Sequence, residues 1–134
     1  MFPLETKILV VDDLKTIRSL IFEILKKTGY KNLLEASDGK EAFAILEASI
    51  ANGPKIGMII SDWNMPNATG LDLLENKMAH PELNDIPFLM VTIESERDHV
   101  LRAVSVGVDD FVVKPFSEKT LLAKLRSIWT RKNS

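Results

Sequence analysis

Four short apolar runs in this chain each stop at a polar, reactive side chain. Ile8-Leu9-Val10-Val11 ends at Asp12-Asp13, and Met58-Ile59-Ile60 runs through Ser61 to Asp62. Phe88-Leu89-Met90-Val91 ends at Thr92, and Phe111-Val112-Val113 ends at Lys114-Pro115. Runs of this length, rich in Val and Ile, read as strands buried on both faces. A strand covered on both sides needs helices above and below it, which points to an α/β layered fold. In open parallel sheets, ligands bind at the carboxyl ends of the strands. Three carboxylates, a hydroxyl and an ammonium are therefore expected to meet along one sheet edge.

The segments between the runs carry helical spacing. Ile17, Leu20, Ile21, Ile24 and Leu25 recur on one stripe, and Gly29 marks its end. Leu33-Leu34 supplies a further short strand. Asp38 is placed to cap a helix through about Ile50, burying Ala42, Phe43, Ile45, Leu46 and Ser49. The loop Met65-Pro66-Asn67-Ala68-Thr69-Gly70 precedes a helix with Leu71, Leu74 and Met78, closed by His80-Pro81. A helix from about Glu96 to Val106 is expected to bury Val100, Leu101, Ala103 and Val104. The last helix carries Leu121, Leu122, Leu125, Ile128 and Trp129 inward. Five strands then alternate with five helices, which implies right-handed crossovers and a parallel sheet. Residues 1–134 read as one domain, with no repeat and no linker.

Bulk properties narrow the function classes. A chain 46% hydrophobic and 27% charged is globular, not disordered. A net charge of -2 disfavours nucleic acid and acidic membrane surfaces as partners. With no cysteine, disulfides and thiolate metal sites are excluded. The first residues lack a basic-then-apolar leader, and no apolar stretch nears the roughly 20 residues that span a bilayer. A cytoplasmic setting is the expectation.

The strand-end residues suit a hard cation and a phosphoryl group. Asp12, Asp13 and Asp62 offer the oxygen ligands that magnesium or manganese takes. A carboxylate at Asp62 can act as nucleophile and form an aspartyl phosphate. Thr92 can bond a phosphoryl oxygen, and Lys114 can neutralise its charge. A cis Lys114-Pro115 bond is the expectation at this turn. Without metal, three clustered acids repel, so one of their pKa values is expected to rise. Simpler readings exist for each piece. An acid pair after a strand can cap the next helix, Asp62 can sit in an Asx turn, and a lone Lys or Thr is usually solvated. Their joint occurrence at strand ends outweighs those readings.

Val10-Val11-Asp12-Asp13, Ser61-Asp62-Trp63-Asn64-Met65-Pro66, Gly70-Leu71-Asp72, Val91-Thr92 and Val113-Lys114-Pro115-Phe116 occur in this order. Together they resemble the receiver domain of two-component response regulators over about Lys7 to Ile128. Trp63-Asn64, and Glu94 two residues past Thr92, are similar to the stand-alone CheY-like chemotaxis regulators. The resemblance implies a flavodoxin-like doubly wound sheet in the order 2-1-3-4-5. It implies Asp62 as phosphoacceptor and Asp12, Asp13 and the Asn64 backbone carbonyl as further ligands of Mg2+ (or Mn2+). Thr92 and Lys114 correspond to the phosphate-binding pair. The donor implied is a phosphohistidine on a histidine kinase or phosphotransfer protein. Output is through protein contact on the face of the fourth helix, fifth strand and fifth helix, with Thr92 coupled to Phe111. Such a chain assists its own phosphorylation and dephosphorylation and is not otherwise an enzyme. A monomer is expected, and dimerisation on phosphorylation is compatible with the pattern.

Two positions depart from the chemotaxis type. Phe111 stands where those proteins have tyrosine, so it has no hydroxyl to offer a partner. Ile93 follows Thr92 where many receivers carry a small residue, and its branched side chain should restrict approach to the site. His80 and His99 are assigned no role, and His99 is expected on a solvated face with Glu96 and Arg102. Other classes fit less well. An aspartyl-phosphate phosphatase of the haloacid-dehalogenase type would show Asp-x-Asp after the first strand. A flavin binder would show a Ser/Thr/Gly-rich first loop, and a receiver that never takes phosphate would have lost the acids.

Overall fold

The computed structural model describes residues 1–93 and 97–133. The strands are β1 (Ile8–Val11), β2 (Leu33–Ala36), β3 (Met58–Asp62), β4 (Phe88–Ile93) and β5 (Asp110–Lys114). The helices are α1 (Lys15–Thr28), α2 (Gly39–Ala51), α3 (Gly70–Met78), α4 (Arg97–Val106) and α5 (Glu118–Lys132). The strands form one parallel sheet in the order β2-β1-β3-β4-β5, the flavodoxin-like order that the resemblance implied.

Alternation along the strands splits the core into two layers. Leu9, Val11, Ile59, Phe88 and Met90 face one side, against Ala42 and Leu46 of α2, Leu74 of α3 and Ala103 of α4. Ile8, Val10, Met58, Ile60 and Leu89 face the other, against Ile21 and Leu25 of α1 and Leu121, Leu125 and Ile128 of α5. The N-terminal segment closes this second layer. Phe2 is buried, its carbonyl accepts the Tyr30 hydroxyl at 2.7 Å, and its ring lies 5.2 Å from Trp129. No helix of the described residues is long and apolar enough to cross a membrane.

Helix starts follow local chemistry. Asp38 caps α2 by accepting the Glu41 amide at 2.8 Å. Thr69 and Asp72 form a reciprocal capping box at α3. Gly29 ends α1 in the left-handed region, at φ 117°.

Two apolar residues expected inside are exposed, Leu101 and Val104 on α4, and Leu20 on the α1 stripe is exposed as well. On α4 the inward face is set by Ala103, with Val100 and Val106 one turn away on either side and half-buried. Val104 lies about 100° and Leu101 about 160° round the helix from Ala103, so the apolar stripe is wider than the contact with the sheet. The proposed start of this helix at Glu96, and Glu94, lie outside the described residues. β4 continues one residue past Thr92, to Ile93.

Lys77 is the one buried lysine among the described residues. Its ammonium on α3 donates to the Asn84 carbonyl at 2.9 Å and meets the Met78 sulfur at 3.2 Å. Burial lowers its pKa to about 8, against a partial upward pull from Asp109. The unfolded chain therefore holds more protons between about pH 8 and the ordinary lysine value. Stability carried by this group is lowest below pH 8 and rises with pH across that window. Lys77→Met should raise stability at pH 7 by about 1–3 kcal/mol and remove that rise. Denaturant titrations at pH 7 and pH 9.5 check it; a variant less stable than wild type at pH 7 refutes it.

Candidate functional site

The sheet register brings the strand ends level. Val11 pairs with Ser61, Asp62 with Val91, and Ile93 with Lys114. Asp12 thus emerges beside Asp62, and Lys114 reaches both. Its Nζ lies 3.1 Å from Asp12 Oδ2 and 3.4 Å from Asp62 Oδ1. One carboxylate oxygen from each of Asp12, Asp13 and Asp62 lies within 4.8 Å of the others. Asp12 and Asp62 are buried, whereas Asp13 is exposed. The Lys114-Pro115 bond is cis.

The N-cap of α1 is Leu14, with no side-chain cap. Asp12 Oδ1 accepts the Leu14 amide at 2.9 Å, which tethers the turn, but neither acid bonds the first amides inside the helix. Asp62 Oδ1 accepts the Trp63 amide at 2.9 Å, and the same N–H also reaches the Val91 carbonyl at 3.0 Å. That bond restrains the rotation of the carboxylate. The loop beyond is pinned to α2 by Gly39 N–H to the Ala68 carbonyl, 2.9 Å, and by Asn67 Nδ2 to Asp38, 2.8 Å.

Electrostatics mark Asp62 as the strained member. Burial, then the charge of Asp12, raises its pKa to about 6, although Lys114 pulls it back. A buried carboxylate facing a second carboxylate is short of positive charge. A divalent cation would supply it, and the cluster fits one. Octahedral magnesium needs oxygens about 2.9 Å apart at neighbouring vertices, so the three acids would draw in from a present spacing of up to 4.8 Å. Asn64 is exposed two residues past Asp62, and its carbonyl as a further ligand rests on the resemblance alone.

Residues 8–126 match the family described as the response regulator receiver domain. The chain belongs to the response regulator receiver family. It is 40% identical to chemotaxis protein CheY of Pseudomonas aeruginosa over 127 residues, 95% of this chain and 98% of that one. It is 39% identical to chemotaxis protein CheY-3 of Vibrio cholerae over 125 residues, 93% and 92% of the two chains. Among solved structures, chemotaxis response regulator CheY4 of Vibrio cholerae superposes with a TM-score of 0.80 at 33% identity, covering 92% of this chain and 98% of that one. The phosphorylated cyanobacterial phytochrome response regulator RcpA gives 0.79 at 26% identity, covering 92% and 91%. This is a receiver domain of the CheY type.

Within that receiver fold, Thr92 is buried on β4, and among the described residues its hydroxyl makes one long bond, 3.4 Å to the Ile93 carbonyl. Ile93 is exposed and, with Thr92, Val100, Leu101, Phe111 and Val113, lines an apolar cavity of ≈ 350 Å³. The Phe111 ring is half-buried, and Lys124 Nζ of α5 stands 5.4 Å from its centroid. Lys124 is in turn paired with Asp110 at 3.4 Å.

Two features escaped the sequence reading. His99 is half-buried, not solvated; its ring stacks on Trp63 at 4.3 Å and 6°. Arg18 of α1 reaches the site from behind, bonding the Asp12 carbonyl at 2.6 Å and Glu35 at 2.7 Å. Its spacing of five residues past Asp13 was the available signal.

Proposed function

We propose that Asp62 accepts a phosphoryl group from a phosphohistidine on a histidine kinase or phosphotransfer protein, making this receiver a two-component signalling switch. The observation that carries the reading is one lysine spanning Asp62 and Asp12, beside an acid cluster short of positive charge. Asp62 Oδ attacks phosphorus, the P–N bond to the donor breaks, and the histidine nitrogen leaves with its electron pair. Asp12, Asp13, Asp62 and the Asn64 carbonyl would hold Mg2+, or Mn2+, which supplies charge neutralisation at the phosphoryl oxygens. Lys114 holds one phosphoryl oxygen by charge, and the Thr92 hydroxyl turns to another. The weak present bond of that hydroxyl leaves it ready to turn. The chain assists its own modification and its later hydrolysis, and acts on no separate substrate.

The output reading follows from the same geometry. Thr92, Ile93 and Phe111 share a cavity wall with α4, so movement at Thr92 reaches the ring and the helix. Exposed Leu101 and Val104 on α4 supply apolar area for a downstream protein on the α4-β5-α5 face. Phe111, without a hydroxyl, makes that contact by shape alone. A monomer in the cytoplasm fits this role.

The test is incubation with Mg2+ and a small phosphodonor, followed by intact mass. One phosphoryl adduct is expected, lost on chelation before donor addition and absent in Asp62→Asn. Absence of an adduct with every donor would favour a phosphorylation-independent interaction module.

Ile93 is expected to slow turnover. Its branched side chain stands exposed at the strand end, level with Lys114 in the register. Ile93→Ala should speed autodephosphorylation several-fold by admitting water. Equal decay rates of the two phosphoproteins would remove this role.

A further inference from the structure

We propose that Arg18 is a positioning residue that sets where Asp13 sits in the acid cluster by holding the peptide unit before it. The inference rests on the reading that Asp12 and Asp13 hold a divalent cation. Every other polar group of Asp12 is already committed. Its amide donates to the Ala36 carbonyl at 3.1 Å, Oδ1 accepts the Leu14 amide, and Oδ2 accepts Lys114. Its carbonyl is held by Arg18 Nη1 at 2.6 Å. That carbonyl belongs to the peptide unit joining Asp12 to Asp13. Fixing it fixes the peptide plane, and the plane places the N and Cα from which the Asp13 side chain starts. Asp13 has no side-chain hydrogen bond of its own among the described residues and is exposed. Arg18 is thus the side chain that places the Asp13 backbone.

The arginine is itself held. Its side chain is 14% exposed, and Nε donates to Glu35 Oε1 at 2.7 Å. Glu35 lies on β2, opposite Val10 of β1 in the register. The guanidinium therefore spans the edge strand and the strand-end turn with a planar fork that a lysine cannot reproduce. Glu35 also offsets a positive charge that would otherwise oppose a divalent cation close by.

Groups that orient metal ligands commonly carry a 10–100-fold effect on metal affinity. Mg2+ binding is measured by calorimetry and by Trp63 fluorescence, for wild type, Arg18→Lys, Glu35→Gln and Asp13→Asn. Thermal melts in EDTA run alongside. Arg18→Lys should bind Mg2+ about 10-fold more weakly while melting in EDTA within a few degrees of wild type. Glu35→Gln, which changes an exposed side chain and keeps Arg18, should weaken binding several-fold, more so at low salt. Asp13→Asn should bind more weakly than either. Wild-type affinity in both Arg18→Lys and Glu35→Gln overturns the positioning role. A wild-type protein that does not bind Mg2+ overturns the metal reading beneath it, and the two failures are distinct.

Discussion

Asp62→Asn abolishes phosphoryl uptake and, in the absence of metal, yields a more stable protein than wild type at pH 7. The first effect follows from losing the nucleophile. The second follows from the cost of an ionised carboxylate in this pocket, which burial and Asp12 together impose. The sign is fixed by linkage. With the folded pKa raised to about 6 from an ordinary 3.8, the folded chain holds the extra proton between those values. This group's contribution to stability is therefore present in acid and lost as pH rises through about 6. Asparagine carries no charge at any of these pH values, so the variant should lack that decline. The difference at pH 7 is expected at about 1–3 kcal/mol, several degrees in melting temperature for a domain of this size. Melts in EDTA from pH 4 to pH 7 compare the two proteins. Parallel curves would show that Asp62 is not strained. Mg2+ should close the gap by stabilising wild type through binding.

Gly70→Ala should damage both stability and phosphorylation although it touches no ligand atom. Gly70 opens α3, and its amide donates to the Trp63 carbonyl at 2.9 Å. A Cβ there would collide with the Asp62 carbonyl oxygen, and would also meet the Met90 sulfur at 2.9 Å. Met90 can yield, but backbone at the end of β3 cannot yield without moving Asp62. Overpacking of this kind costs about 3 kcal/mol or more when the obstacle is main chain. Denaturant unfolding should show that loss, and the folded fraction should take phosphate more slowly. A Gly70→Ala protein with wild-type stability and phosphorylation rate would remove the argument.

How much of this was legible beforehand depended on whether a residue's role is local. The strands were legible because an unbroken apolar run has few other homes in a chain of this composition. The caps at Asp38 and Thr69 act within one turn, and the Asp38 cap was read from its neighbours alone. The meeting of Asp12, Asp62 and Lys114 was legible only through the rule that ligands gather at strand ends. Leu101 and Val104 were misread because periodicity marks an apolar stripe but not how much of it the sheet covers. His99 was misread because its partner, Trp63, stands 36 residues away in sequence. Nothing in the α4 pattern announces a ring stacked across from another element. Arg18 was missed for a related reason: one of its partners is a main-chain carbonyl, which leaves no mark in the side-chain pattern.

Lys114 also ties together parts of the sheet that never touch. β1 and β5 are separated by β3 and β4. Among the described ion pairs, only the one between Lys114 and Asp12 joins β5 to the turn after β1. The amine is thus a cross-brace over the middle strands, and its midpoint is Asp62. A phosphoryl group there brings roughly -1.5 to -2 of charge and fresh oxygens that compete for the same three N–H bonds. Whatever the lysine gives to the newcomer it withdraws from Asp12. Chemistry on the central strand would then move this brace away from Asp12 and towards Asp62, at the end of the outer strand that carries Phe111.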